Sequence, residues 1–306
     1  MAAGGVGGYL GAKLARTGHE VAMMARGRHL EAIRADGLTV ETDTETFTVR
    51  PALATADAAD IGPVVAVVFA VKLRDTEAAA EAIRPLIGKE TVVIPFQNGV
   101  ESAAILADRL GAAHAAAGCA YIAITIAEPG RLKKVGELER FLFAEADGSQ
   151  SPRIAAVRRA LEDAGVNAPE PADIAVEIWR KFAFLASLSG MTAAARVAIG
   201  AIRADSHMLE MFRRAVAEVV AVARARGVAV RDDLVDEHMD FIATLPAEMT
   251  SSQAHDLAAG RPLEVDGLSG AVTRLGLAAG IDTPVHATLY AVLRPHSGGR
   301  ADSDGH

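Results

Sequence analysis

Apolar residues recur at helical spacing from the end of the glycine-rich run at Gly8 to about residue 17 and stop at Gly18; residues 20–25 then form a short apolar run of strand length. Residues 29–35 read as a short helix, and 38–49 alternate with a period of two, as a hairpin does. The β-branched run over 64–71 has the continuous hydrophobicity of a buried parallel strand. Helical spacing follows over 74–86, a strand over 91–96 and a helix over 101–110. This alternation predicts an α/β domain with a doubly wound parallel sheet. Residues 115–144 read as extended segments broken at Glu128-Pro129-Gly130 and at Gly136, and a helix is predicted over 152–164. Pro169 and Pro171 mark a boundary, beyond which the pattern is almost all helical: 174–189, 206–226, 232–244, 264–279 and 284–293. The expected organisation is therefore an α/β domain over 1–171, a helical domain over 172–295, and a disordered tail over 296–306, rich in Gly, Ser and Asp.

The apolar stretch over 182–202 has the length of a membrane span. It carries Arg196, glycines and hydroxyls and follows Arg180 and Lys181, so it reads as a buried helix and a turn. The chain has 306 residues, of which 51% are hydrophobic, enough for two cores. A net charge of −8 argues against nucleic acid as a partner, because phosphate binding needs a basic stripe; an aromatic content of 4% offers no stacking platform either. One cysteine, Cys119 in an apolar run, excludes an internal disulfide and suits a reducing cytoplasm.

The chemistry starts at Gly4-Gly5-Val6-Gly7-Gly8, where a glycine-rich turn enters the first helix. Glycines there let the backbone turn sharply and leave helix-start N–H groups open to an anion such as a pyrophosphate. In the dinucleotide-binding turn G-x-G-x-x-G, Gly4 and Gly7 would be the second and third glycines, and Ala2 stands where the first belongs. Arg26 lies 19 residues beyond Gly7, where a Rossmann-like fold reads the adenosine ribose; an arginine there, with Arg28 behind it, favours a 2′-phosphate and hence NADP(H). A solvated loop arginine is the alternative. Lys72 and Asn98 each end a predicted strand, at the sheet edge where open α/β folds bind ligands. A hydrophobic strand should precede the glycine turn, yet Met1-Ala2-Ala3 is all there is. Its loss would remove about five buried side chains at about 1.5–3 kcal/mol each. The first strand is thus expected to be missing, and Met1 to be a misplaced start or an edited end.

Taken together, Gly4-Gly5-Val6-Gly7-Gly8, Arg26, Val71-Lys72, Gln97-Asn98-Gly99-Val100, Ile178-Trp179-Arg180-Lys181-Phe182, Ser251-Ser252 and Arg261-Pro262-Leu263-Glu264-Val265-Asp266 resemble the ketopantoate reductases, in order and over nearly the full length. The resemblance implies an NADPH-dependent enzyme that reduces 2-dehydropantoate to pantoate on the route to coenzyme A, with the site between a Rossmann domain and a helical domain. By position it implies Lys181 as the catalytic lysine and Glu264 as the acid that binds the substrate hydroxyl and holds that lysine. It implies Gly4, Gly5, Val6, Gly7, Arg26, Lys72 and Asn98 at the cofactor, and Asn98, Leu185, Ser189 and Ser252 at the substrate. Ser252 would equally serve as a helix N-cap. Leu185 and Ser189, four and eight residues after Lys181 on one helix face, replace the asparagines of well-characterised members, so this face is less polar. A small oxo acid is the substrate class implied; a homodimer stays compatible with the sequence. The alternative is a non-catalytic NADP(H)-binding sensor or degraded paralogue.

Three further clusters read as ordinary surface or core. Asp232, Asp233, Asp236, Glu237, His238 and Asp240 have the spacing of a solvated helix face rather than of a metal site. His255 and His286 read as helix-surface or partly buried histidines rather than a proton relay.

Overall fold

The computed structural model describes residues 3–300. The chain divides into two compact units, Met1–Gln97 with Ser102–Ile174, and Asn98–Glu101 with Ala175–His306.

The first unit is mixed α/β. Its elements are α1 (Gly5–Arg16), β1 (Ala22–Met24), α2 (Gly27–Asp36), β2 (Leu38–Glu41), β3 (Thr46–Val49), β4 (Leu53–Thr55), β5 (Val64–Phe69), α3 (Thr76–Ala82), β6 (Ile87–Pro95), α4 (Ser102–Leu110), β7 (Ala116–Glu128), β8 (Arg131–Glu145) and α5 (Pro152–Asp163). Two parallel pairs, β1 with β4 and β5 with β6, carry the α/β part. The predicted hairpin over 38–49 is the antiparallel pair β2–β3, in register from Leu38↔Val49 to Glu41↔Thr46. It joins a four-stranded sheet of order β3-β2-β8-β7. Ala3 N–H donates to the Met24 carbonyl at 2.6 Å, so the chain enters the glycine turn alongside β1. The expectations about Met1 and Ala2 lie outside the described residues.

Two hydrophobic clusters fill this unit. One joins Tyr9, Leu10, Met23, Ile94, Phe141, Phe143 and Leu161; the other joins Phe69, Ile83, Val93 and Leu106. Phe96 packs edge-on against Phe141 and Phe143, with ring centroids 5.3 and 5.8 Å away, a geometry that adds to area burial. Cys119 is buried. The break predicted at Gly136 takes the form of a bulge within β8: the pairing with β7 passes from Ile122↔Glu139 to Ile124↔Lys134, and between them Gly136 has φ +73° and its N–H donates to the Asp43 carboxylate at 2.7 Å. A glycine accepts this left-handed bulge and lets the strand continue.

The second unit is helical: α6 (Ile174–Ala195), α7 (Ile199–Ala204), α8 (Ser206–Ala225), α9 (Leu234–Thr244), α10 (Ser252–Ala258), α11 (Ser269–Ala279) and α12 (Pro284–Leu293). No described helix is long and apolar enough to cross a membrane. α8 buries one stripe, including Phe212, Ala215, Val216, Val219 and Val220, as its helical spacing requires. α6 extends six residues past the predicted end at Ser189, because Gly190 is a packing position rather than a stop. A Cβ there would lie 2.7 Å from Leu289 and 3.1 Å from Ser269. The predicted helix over 264–279 is a 3-10 turn, Val265–Gly267, followed by α11. The expected disordered tail is corrected as far as Arg300. Arg294–His296 forms a 3-10 turn, Leu263 N–H donates to Ser297, and Arg300 N–H donates to Gly260. Those backbone pairings tie residues 297–300 to the loop before Glu264; 301–306 lie outside the described residues.

Candidate active site

In the first unit, Gly4 is the N-cap of α1 with extended backbone and no side-chain capping bond, and the first turn carries no acidic residue. Its carbonyl accepts the first helical bond, from Gly8 N–H at 2.7 Å. Gly4, Gly5, Val6 and Gly7 are half-buried and Gly8 is buried. A Cβ on Gly5 would sit 2.8 Å from the Ile124 carbonyl oxygen of β7, so a glycine is required for α1 to approach that strand. These features fit an anion at the helix start, whose N–H groups and dipole favour negative charge. Arg26 is exposed at the N-cap of α2, and Arg28 is exposed beside it.

Lys72 is exposed at the start of the 3-10 turn Leu73–Asp75. That turn is fixed by Gln97, a buried residue whose amide nitrogen donates to the Val71 carbonyl at 2.9 Å and to Thr76 Oγ1 at 2.8 Å. Gln97 thereby ties the loop after β5 to the end of β6. Its only signal in the sequence is its place directly before Asn98, which does not by itself reveal this role.

In the second unit, Lys181 Nζ donates to Asn98 Oδ1 at 3.0 Å. α6 is held firmly on either side of this lysine. Arg180 is paired with Glu237 of α9, which also receives Arg231 at 2.6 Å. Trp179 and Phe182 are buried in an edge-on pair, with ring centroids 5.8 Å apart. Lys181 itself stays half-buried, with Leu185 half-buried one turn on. Ser189, two turns on, is 1% exposed and its hydroxyl has no hydrogen-bond partner among the described residues. Past it, Thr192 Oγ1 meets Ser251 Oγ at 2.8 Å, and the Gln253 amide donates to the Ser189 carbonyl at 3.3 Å.

The expected face of Lys181, Leu185 and Ser189 is therefore a continuous strip that goes from half-open to closed. The N-cap of α10 is Ser251, whose hydroxyl accepts from Ala254 N–H at 3.1 Å; Ser252 is the first helical residue and is exposed. Glu264 is half-buried and leads into the turn Val265–Gly267.

Several of the remaining candidates have structural partners. Asp232 and Asp236 pair with Arg224 and Arg213, and Asp233 with Arg231. Among the described residues no group of three or more His, Cys, Asp or Glu could hold a metal ion. His255 lies 2.7 Å from Thr250 Oγ1, and His286 is buried inside the helical unit.

An α/β unit with a glycine-rich helix start is thus followed by a helical unit that presents a held lysine. The model of the ketopantoate reductase PanE/ApbA family matches residues 2–148, and that of its C-terminal part matches residues 173–297. A 2-dehydropantoate 2-reductase of Mesorhizobium japonicum is 32% identical over 95% of both chains. The crystal structure of a PanE/ApbA family ketopantoate reductase from Ralstonia eutropha JMP134 superposes with a TM-score of 0.89 at 32% identity, covering 97% of both chains. That of 2-dehydropantoate 2-reductase from Geobacter metallireducens GS-15 gives 0.88 at 28% identity, covering 96% of this chain and 98% of the other. The chain belongs to the ketopantoate reductase family and is an oxidoreductase of that kind.

Proposed function

We propose that this chain reduces 2-dehydropantoate, or a closely related small oxo acid, with NADPH as the reductant and Lys181 as the proton donor. When bound, the reduced nicotinamide supplies the hydride. The observation that carries the reading is the Lys181–Asn98 hydrogen bond at 3.0 Å on a half-buried helix face. A ketone that gains hydride at carbon develops negative charge on its oxygen, and a positioned ammonium stabilises that charge and delivers the proton. Asn98 Oδ1 accepts one of the three ammonium protons and so sets the direction of the amine. Because Asn98 is neutral, it orients the amine without drawing off its charge. Leu185 gives the same face an apolar step, against which the carbon skeleton of a small oxo acid packs. We assign Glu264 to the substrate hydroxyl and Ser252 to the substrate's polar end. Gly4, Gly5, Val6 and Gly7 take the pyrophosphate, Arg26 the 2′-phosphate, and Lys72 and Asn98 the nicotinamide side. A non-catalytic binder has no use for an amine held in this way.

The test is loss of NADPH absorbance with 2-dehydropantoate and a panel of 2-oxo and 3-oxo acids. Turnover confined to small branched oxo acids supports the reading, and NADPH binding without turnover on any of them sinks it. Cofactor choice is checked separately. Arg26→Ala is expected to raise the NADPH dissociation constant about 10- to 100-fold and to leave that of NADH within about threefold, since a charge-assisted contact to a phosphate is worth about 1.5–3 kcal/mol. Equal losses for both cofactors would remove Arg26 from the 2′-phosphate.

A further inference from the structure

His29 stands three residues after Arg26 and takes no part in the chemistry described above. Its imidazole joins three separate parts of the first unit. Gly130 N–H, in the turn between β7 and β8, donates to Nδ1 at 3.0 Å. That bond makes Nδ1 the acceptor and places the ring proton on Nε2, which donates to the Ala3 carbonyl at 2.6 Å. Ala3 directly precedes the N-cap Gly4, and its own N–H is already bound to Met24. Both backbone groups of the residue entering the glycine turn are thus held, one by β1 and one by His29.

The other side of the imidazole is equally constrained. Gly130 has φ +77°, and a Cβ there would lie 2.8 Å from Ala32 of α2, so a glycine is needed to bring its N–H up to the ring. The hairpin that carries Gly130 also backs the turn directly, through the Ile124 carbonyl against Gly5. One neutral side chain therefore closes a loop from the glycine turn through α2 to the β7–β8 hairpin and back. A turn that binds a pyrophosphate through its N–H groups gains affinity by holding those groups in place before the ligand arrives.

We infer that His29 is a positioning residue for cofactor binding, fixing the Ala3 carbonyl so that the glycine turn is preset for the dinucleotide phosphates. The inference rests on the proposed cofactor site. His29 acts through the turn and touches neither hydride nor substrate.

Three substitutions separate the two bonds. In His29→Gln the amide nitrogen falls near the Nε2 position and keeps the donor to Ala3. In His29→Asn the amide oxygen falls near Nδ1 and keeps only the acceptor for Gly130. His29→Phe removes both. The measurements are the NADPH dissociation constant by titration, the melting temperature, and kcat with the KM of each substrate. His29→Phe and His29→Asn are expected to raise the NADPH dissociation constant about tenfold, the worth of one well-placed hydrogen bond. At saturating NADPH, kcat and the KM for the oxo acid stay near wild type, and His29→Gln recovers most of the affinity. Wild-type NADPH affinity in His29→Phe overturns the inference. So does a loss in all three variants that follows melting temperature alone and falls on kcat as well as KM. Wild-type protein that fails to bind NADPH would instead overturn the cofactor site itself, and this inference with it.

Discussion

Lys181→Ala is expected to lower kcat by about two to four orders of magnitude while NADPH binds as it does to the wild type. Arg180 and Phe182 on either side of Lys181 are committed, one to Glu237 and the other to the core, so α6 keeps its place when the lysine is shortened. On the proposed role, what disappears is the ammonium that would meet the developing alkoxide, and Asn98 cannot replace it as a charge. Lys181→Arg is expected to recover little of the loss, although it keeps the charge. A guanidinium is longer and planar, and its proton is held too tightly to be given up readily. Single-turnover mixing of preformed NADPH complex with oxo acid checks both variants. A Lys181→Ala enzyme that turns over at more than about a tenth of the wild-type rate would remove the lysine from the chemistry, and one that loses NADPH binding would give it a different role.

The second large effect is on stability in acid. His286 is 0% exposed, and burial pushes its imidazole down to about 4. Its Nε2–H donates to the Ala215 carbonyl at 3.1 Å, and Ser269 Oγ lies 3.3 Å from Nδ1, an arrangement that suits the neutral ring. In the unfolded chain the same ring titrates near about 6.5. As pH falls below that value the unfolded state takes up the proton first, whereas the folded state stays neutral down to about 4. The stabilisation is therefore complete above about pH 6.5 and is lost progressively as pH falls towards 4. Its size is on the order of 3 kcal/mol, about two orders of magnitude in the folding constant. His238, also buried and also shifted down chiefly by desolvation, acts with the same sign. Glu218, which accepts from the N–H groups of Val285 and His286, is shifted up by burial and acts with the opposite sign. Urea titrations of wild type and His286→Gln between pH 4 and 7 isolate the histidine. The variant should be the less stable protein at pH 7 and the more stable one near pH 4.5; a difference that stays constant with pH would contradict this account.

Local chemistry makes parts of this fold legible in the sequence. Pro284 at the first turn of α12 and the apolar period behind it predict the observed bounds, Pro284–Leu293. Glu128-Pro129-Gly130 likewise marks the β7–β8 turn, since Gly130 takes the left-handed conformation a tight reversal needs. The helix end predicted at Ser189 misleads, because Gly190 is there for a neighbour that only the tertiary fold supplies, whereas Gly136 marks a real interruption of the pairing between β7 and β8. α10 has no clear periodic signal because Ser-Gln-Ala-His-Asp-Leu-Ala is short and mostly polar, and its stability comes from Ser251 and the buried contacts with α6. The candidate site divides in the same way. The glycine turn and Arg26 follow from spacing within the first 26 residues. The pairing of Lys181 with Asn98 joins positions 83 residues apart, and nothing local announces it. His29 is silent in the sequence because its partners, Ala3 and Gly130, are backbone groups with no side-chain signature.

On the proposed mechanism, hydrogen passes from reduced cofactor to a carbonyl carbon while the chain supplies the proton to the oxygen. The direct measurement uses NADPH carrying deuterium at the transferable position of the nicotinamide ring, with 2-dehydropantoate in ordinary water, and mass spectrometry of the product. Pantoate with one deuterium, fixed on the carbon that bore the ketone, is expected, at a rate that falls with the Lys181→Ala substitution. Unlabelled product, or consumption of NADPH with no hydroxy acid formed, would contradict that mechanism.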